Sequence, residues 1–298
     1  MILKNLGELA ALATAICWNI SGISFESAGK KVGSLSVNYI RLILGFLFVG
    51  LYSFATRGLF FPLDATLHNW IWLSISGLIG FTLGDLFLFQ AYVEVGTRIS
   101  MLIMASSPPL TALLGFIFLR ERLDLFNVLG MLITISGIAI VILGKEEGEN
   151  KLKLNHSKKG LIFAFLGAFG QALGLIVSKI GMGNYNALAS TQIRIIAGFV
   201  GFTILISILR KFQDLRIAFK DKQAMKSITI GALFGPFIGV TLSLVSLQYT
   251  TAGISSTITS ITPVTIIPFS VFLLKEKIKP KEILGAVLSV IGVAILFL

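Results

Sequence analysis

The sequence predicts an all-α integral membrane protein with ten transmembrane helices. Three observations carry that reading. Of 298 residues, 55% are hydrophobic and only 13% are charged, too little polar surface for a soluble domain. The apolar residues fall into ten blocks of about 20, the length a helix needs to cross hydrocarbon. The blocks are too long and too evenly apolar for barrel strands, and a helix satisfies its own backbone in lipid.

The first block, 6–28, follows Lys4 and carries small residues at Ala13 and Ala15, as a cleaved secretion signal does. Apolar segments continue to the last residue, so it reads as the first membrane helix. The next four blocks cover 34–56, 69–92, 97–119 and 125–143. KEEGENKLKLNHSKK (145–159) is polar, lacks apolar periodicity and reads as a linker. Five further blocks follow at 160–179, 187–209, 227–248, 252–274 and 282–298. Between the seventh and eighth blocks, Phe212, Leu215 and Phe219 fall at helical spacing among basic residues, the pattern of a short interfacial helix.

The net charge of +11 would suggest nucleic acid in a soluble protein. Here Lys and Arg sit mostly in short runs between apolar blocks, as expected of loops facing anionic lipid. The predicted partners are therefore the bilayer and a small-molecule substrate, with no nucleic acid. Cys17 is the sole cysteine, so no intramolecular disulfide is possible, and its apolar block suggests a packing role.

The chain repeats itself. SSPPLTALLGFIFLRERL (106–123) returns as ITPVTIIPFSVFLLKEKI (261–278). Residues 76–143 and 231–298 align without a gap, pairing Gly80 and Gly84 with Gly235 and Gly239, Pro108 with Pro263, Glu121 with Glu276, and Gly137 with Gly292. Upstream, YIRLILGF echoes QIRIIAGF, which pairs Arg41 with Arg194 and sets Asn19 opposite Gln171. The predicted organisation is a five-helix unit over 1–143, a linker over 144–159 and a second five-helix unit over 160–298. Five is odd, so two such units joined without an extra crossing lie in opposite orientations. That is an inverted repeat, an architecture with two related states open to opposite faces.

A repeated five-helix unit whose fourth helix carries a Pro and ends in leucine-basic-Glu-basic resembles the EamA family of the drug/metabolite transporter superfamily. FIFLRERLDLFNVLGMLITISGIAIVIL (116–143) and VFLLKEKIKPKEILGAVLSVIGVAIL (271–296) are the most specific parts. The resemblance covers the whole chain, one unit per half. Arg120 and Lys275 replace the Gly usual before the Glu, and Tyr92 to Pro108 is two residues longer than Tyr249 to Pro263. The resemblance implies secondary transport of small metabolites, amino acids or related organic solutes, often as efflux, around a central cavity in a plasma membrane. Nucleotide-sugar or drug carriage on the same fold is a variant of that reading.

Asp85 lies near the middle of the third block, where a carboxylate is costly unless paired, protonated or wet. It is a candidate for proton coupling or amine binding, or a structural carboxylate; its repeat partner is Val240. Trp18, Asn19 and Gln171 either line the cavity or satisfy one another between helices. Gln90 and Tyr92 extend the same candidate set. Arg41 and Arg194 can snorkel to an interface, and a structural or gate-pairing role is favoured, with Glu26 a candidate partner. Pro108, Pro109, Pro263 and Pro268 interrupt helical hydrogen bonding, as gating or static kinks, with Ser106, Ser107, Thr259, Ser260 and Thr262 placed to compensate. Glu121 and Glu276 sit where a carboxylate favours the free N–H groups of the following helix, which is a structural role. GFTLG, GPFIG and GQALG offer small faces for close helix contact.

No catalytic residues, cofactor or metal site is predicted. His68 and His156 are in loops, and HExxH, GxSxG and helically spaced acid pairs are absent from the sequence. AGKK (28–31) lacks the upstream glycine spacing and the Ser/Thr of a phosphate loop. A passive channel or facilitator is the rival to a carrier, but a pore wants a ring of one charge sign or of carbonyls. Lys and Arg concentrate after the odd-numbered blocks, which places those loops in the cytoplasm and both termini outside. The resemblance implies cytoplasmic termini instead.

Overall fold

The structure is a computed structural model that describes residues 6–119, 124–145, 152–154, 156–250, 255, 258–275 and 278–296. The first half holds α1 (Leu6–Val32), α2 (Ser34–Arg57), α3 (Leu67–Gly77), a π-helical segment (Leu78–Gly84), α4 (Asp85–Met104), α5 (Ser107–Leu119) and α6 (Leu125–Ile142). A two-stranded antiparallel ribbon, β1 (Leu143–Lys145) with β2 (Leu152–Leu154), pairs Gly144 with Lys153 inside the polar linker. The second half holds α7 (Lys158–Met182), α8 (Ala187–Leu209), α9 (Phe212–Lys220), α10 (Lys222–Ala232), a second π segment (Leu233–Gly239), α11 (Val240–Tyr249), α12 (Thr262–Leu274) and α13 (Pro280–Leu296).

Helix starts follow local chemistry. Thr66 with Asn69 and Asp124 with Asn127 form capping boxes at α3 and α6. Ser157, Asn186 and Asp221 cap α7, α8 and α10 through their side-chain oxygens. Among the described residues, seven helical runs are long and apolar enough to cross a membrane, and Ser107–Ile117 and Thr262–Phe272 are shorter apolar helices. The outer surface is apolar in the way a lipid-facing surface must be: Leu51, Phe54, Ile208 and Phe272 are all more than half exposed.

The longest run, Leu67–Met104, is two elements. Gly96 has φ 82° and ψ 162°, a conformation only glycine adopts without strain, and it breaks the helix between the third and fourth predicted blocks. Thr97, the first residue after the break, donates its backbone N–H to Glu26 Oε2 at 2.6 Å. Glu26 also pairs with Lys30 at 2.5 Å. It therefore anchors a helix start and does not pair with Arg41. A second break at Ala105–Ser106 precedes α5, so Pro108 and Pro109 stand in the first turn of a helix, where a missing N–H leaves no bond unmade. Pro263 holds the same place in α12, and among the four prolines singled out Pro268 alone is interior to its helix. The kinks expected at Pro108, Pro109 and Pro263 are thus helix starts. Glu121 and Glu276 lie outside the described residues.

The two halves match in detail. The π segments occupy equivalent positions, and in each the residue that follows bonds five residues back: Asp85 N–H to Gly80 O, and Val240 N–H to Gly235 O. The small-residue faces meet across helices. A Cβ on Gly170 would lie 2.6 Å from Gly84 Cα, and one on Gly174 would lie 3.1 Å from Gly80 Cα, so α7 packs backbone to backbone against the first π segment. α1 runs against the second in the same way, with Ser21 beside Gly235 and Cys17 beside Gly239. In both pairs the order of contacts reverses, so the partners are antiparallel.

α6 and α13 pair reciprocally. Thr134 Oγ1 donates to Ser289 O and Ser289 Oγ donates to Thr134 O, both at 3.4 Å. A Cβ on Gly137 would fall 2.6 Å from Gly285 O, and one on Gly292 would fall 2.8 Å from Gly130 O. Each contact repeats with the partners exchanged, and the helices are antiparallel.

Candidate functional site

Three elements converge on Asp85, which is 4% exposed. The first π segment delivers it: the wide turn ends at Asp85 and aims its carboxyl at α2 and α7. Arg41 Nη2 of α2 forms an ion pair with Asp85 Oδ2. Gln171 Nε2 of α7 donates to Oδ1 at 2.6 Å, so both carboxylate oxygens are occupied. Asn38 closes the cluster. Its Nδ2 donates to the Asp85 backbone carbonyl at 3.2 Å, and its Oδ1 accepts from Arg41 Nε at 2.9 Å.

Aromatic rings complete the surroundings of the cations. The Arg41 guanidinium carbon lies 4.6 Å from the Phe89 centroid, 5.6 Å from Phe81 and 5.8 Å from Phe25. Arg194 of α8 approaches Phe81 at 4.9 Å, so one ring serves two cations. Each such contact is worth about 0.5–2 kcal/mol, more as water is excluded. From the sequence both arginines could snorkel to an interface, with a structural or gate-pairing role favoured. They are instead buried, at 3% and 4% exposure: Arg41 pairs with Asp85 and Asn38, while Arg194 stands against the Phe81 ring.

The cluster forms one wall of a cavity of about 180 Å³. Trp18, Tyr92, Gln171, Asp85, Pro108 and Pro263 line it, with Met101 and Met104 of α4. Its hydroxyls include those of Ser107, Thr111, Ser243, Thr259 and Ser260. Asn19 is buried but turned away: its Nδ2 donates to Thr265 Oγ1 at 2.7 Å. Gln90 also lies outside, accepting from Ser34 and donating to Glu94. Pro109 and Pro268 do not line the cavity. Asn38, Phe81 and Phe89 were not anticipated. Asn38 carried a signal, an amide one helical turn before Arg41 in an apolar helix; the phenylalanines carried none among the chain's 24.

The two ends of the molecule differ. At one end Glu26 joins Lys30 and the Thr97 backbone, Lys31 reaches Gln223, Lys159 reaches Glu94 and Arg98 reaches Glu282. The Lys159 and Gln90 side chains hold the Glu94 carboxyl below its ordinary value. At the other end Asp64 accepts from Tyr185 at 2.8 Å and pairs with Arg57 at 2.5 Å. Burial works to raise Asp64, but the Tyr185 hydroxyl and the Arg57 cation outweigh it and hold the carboxyl below the usual range. Burial and the Asp64 contact push Tyr185 up to about 12. Among the described residues, no group of three or more His, Cys, Asp or Glu side chains is placed to hold a metal ion.

Comparison with known proteins agrees with this architecture. The family model described as EamA-like transporter family matches residues 5–143 and 158–298. An uncharacterized transporter of Archaeoglobus fulgidus is 24% identical over 97% of each chain. An uncharacterized transporter of Synechocystis is 22% identical over 96% of this chain and 88% of its own. A solved crystal structure superposes with a TM-score of 0.64 at 16% identity, covering 98% of this chain and 96% of that one, a likeness of fold.

Proposed function

Since the chain belongs to the EamA-like transporter family, a multi-pass family of the plasma membrane, we propose that it is a secondary transporter carrying a small organic solute by alternating access. The observation that carries this reading is the central cavity, lined by residues of both halves. The proposed architecture is ten spans in two inverted five-helix repeats, over 1–143 and 160–298. It is supported by the equivalent π segments and by the reciprocal, antiparallel contacts of α6 and α13. Such a pair of repeats can exchange conformations, which moves the open face from one side to the other.

In this reading Trp18, Tyr92 and Gln171 contact solute, and Pro108 and Pro263 hold the two equivalent helix starts at the cavity wall. Asp85 holds Arg41 and Gln171 in place. A proton-coupling Asp85 has to be released by Arg41 during the cycle, and that defines the test. Purified protein in proteoliposomes is assayed for counterflow of organic solutes, with and without a pH gradient, for wild type and Asp85→Asn. Saturable counterflow supports a carrier. Gradient-driven uptake lost in Asp85→Asn assigns coupling to Asp85. Non-saturable flux with no counterflow marks a passive channel and sinks the proposal.

A further inference from the structure

The cavity holds one more cation than it neutralises. Arg41 is paired with Asp85, whose second oxygen is occupied by Gln171. Arg194 stands within electrostatic reach of Asp85 but makes no hydrogen bond or ion pair among the described residues. Its Nε is buried without an acceptor, although the side chain is only 4% exposed and lines the cavity. Its near neighbours are the Phe81 ring and Gly80, where a Cβ would stand 3.3 Å from Nη2. A guanidinium stays charged in any protein environment. Out of water it needs an anion, because an uncompensated buried charge is strongly unfavourable.

Among the described residues nothing else in the lining supplies that anion, and Asp85 is its sole carboxylate. The remaining surface is apolar, from Trp18, Phe25, Phe89 and Leu175, or hydroxylic. We infer that Arg194 is the anion-recognising residue of the cavity, and that the solute is small and bears a carboxylate on an apolar body. The charges fit: two arginines and one aspartate leave one positive charge, which one carboxylate cancels. A purely cationic solute has no free carboxylate to meet. That this ligand is a transported solute rests on the transporter reading; the anion site itself does not. Simple carboxylic acids and α-amino acids share the carboxylate, and the test separates them.

The full-length protein in detergent is titrated calorimetrically with acetate, hexanoate, phenylacetate and L-phenylalanine. Hexanamide, phenylacetamide and phenethylamine serve as uncharged or cationic counterparts. The expected result is saturable binding of at least one carboxylate, at least tenfold tighter than its amide or amine. Arg194→Gln is expected to abolish the preference and Arg194→Lys to keep part of it. Tight binding of phenylalanine with phenylacetate assigns amino acids; binding of phenylacetate alone assigns simple acids. Equal binding of amide and carboxylate, no saturable carboxylate binding, or a preference that survives in folded Arg194→Gln overturns the inference. The wild-type comparison decides even if the variants do not fold. Arg194-dependent binding without counterflow removes the transport reading and keeps the anion site. Counterflow of neutral or cationic solutes alone does the reverse.

Discussion

Asp85 and Arg41 are each other's reason for being tolerated in hydrocarbon. Removing one partner of a buried ion pair leaves the other charge uncompensated, at about 3–5 kcal/mol. Asp85→Asn is therefore expected to lower stability by that order, and Arg41→Gln likewise. The double variant should recover part of the loss, since it removes both members of the pair and leaves only Arg194 without its neighbouring carboxylate. Thermal unfolding of the four proteins in detergent measures this; additive losses would show that the pair is not coupled. At the exposed end, Asp64 gives a pH signature. Its carboxyl is lowered by Tyr185 and Arg57, so its contribution is fully present above the ordinary carboxylate value of about 4. It is lost as pH falls through the lowered value. Pepsin cleavage within 58–66 should rise over that window in wild type, and be raised and flat with pH in Asp64→Asn.

Among the elements, the α6–α13 pair depends on glycine for its closeness. At Gly137 and Gly292 an added side chain meets the partner's backbone, which cannot swing aside. Gly137→Leu and Gly292→Leu should each lose at least about 1–3 kcal/mol, the usual penalty of overpacking. The two losses should be alike, because the contacts are reciprocal. Unfolding in mixed detergent and denaturant reads both, and a large loss at one site with none at the other contradicts the symmetry. The π segments are the other element-scale device. An i to i−5 turn is rare and clusters at functional sites. Here the first positions Asp85, and the second accepts Pro236 within a helical run and turns it into the cavity.

Across the whole molecule, alternation requires each end to open in turn. Two disulfide locks test it in a Cys17→Ser background, which removes the native thiol. One joins Lys31→Cys to Gln223→Cys, and the other Asp64→Cys to Tyr185→Cys, pairs that touch at opposite ends. Either lock alone should stop counterflow, and reductant should restore it. The two ends also give a test of topology. Lys30, Lys31, Arg98, Lys159 and Lys281 gather at one end, which the charge rule places in the cytoplasm. A membrane-impermeant thiol reagent applied to intact cells should label Asp64→Cys and spare Lys31→Cys. The reverse pattern would support the cytoplasmic termini that the family resemblance implied.

The sequence by itself determined what is written along one dimension. Block length set which segments are apolar helices of spanning length, and self-similarity set the two halves. Small-residue spacing in GFTLG and GQALG set faces that do meet, Gly84 on Gly170 and Gly80 beside Gly174. Polar residues in apolar helices marked the interior, and Asp85, Trp18, Tyr92 and Gln171 line one cavity. The tertiary structure alone decided which charges pair: Arg41 with Asp85 of another helix, Glu26 with the Thr97 backbone, and Arg194 Nε with no acceptor among the described residues. It also decided that Asn19 turns to Thr265, and that three of the four prolines begin helices. The reason is physical. A helix that is apolar on nearly every side carries no periodic mark of which face looks inward. Its rotation and tilt come from packing against neighbours, so the partner of a buried polar group is known only once all the helices are in place.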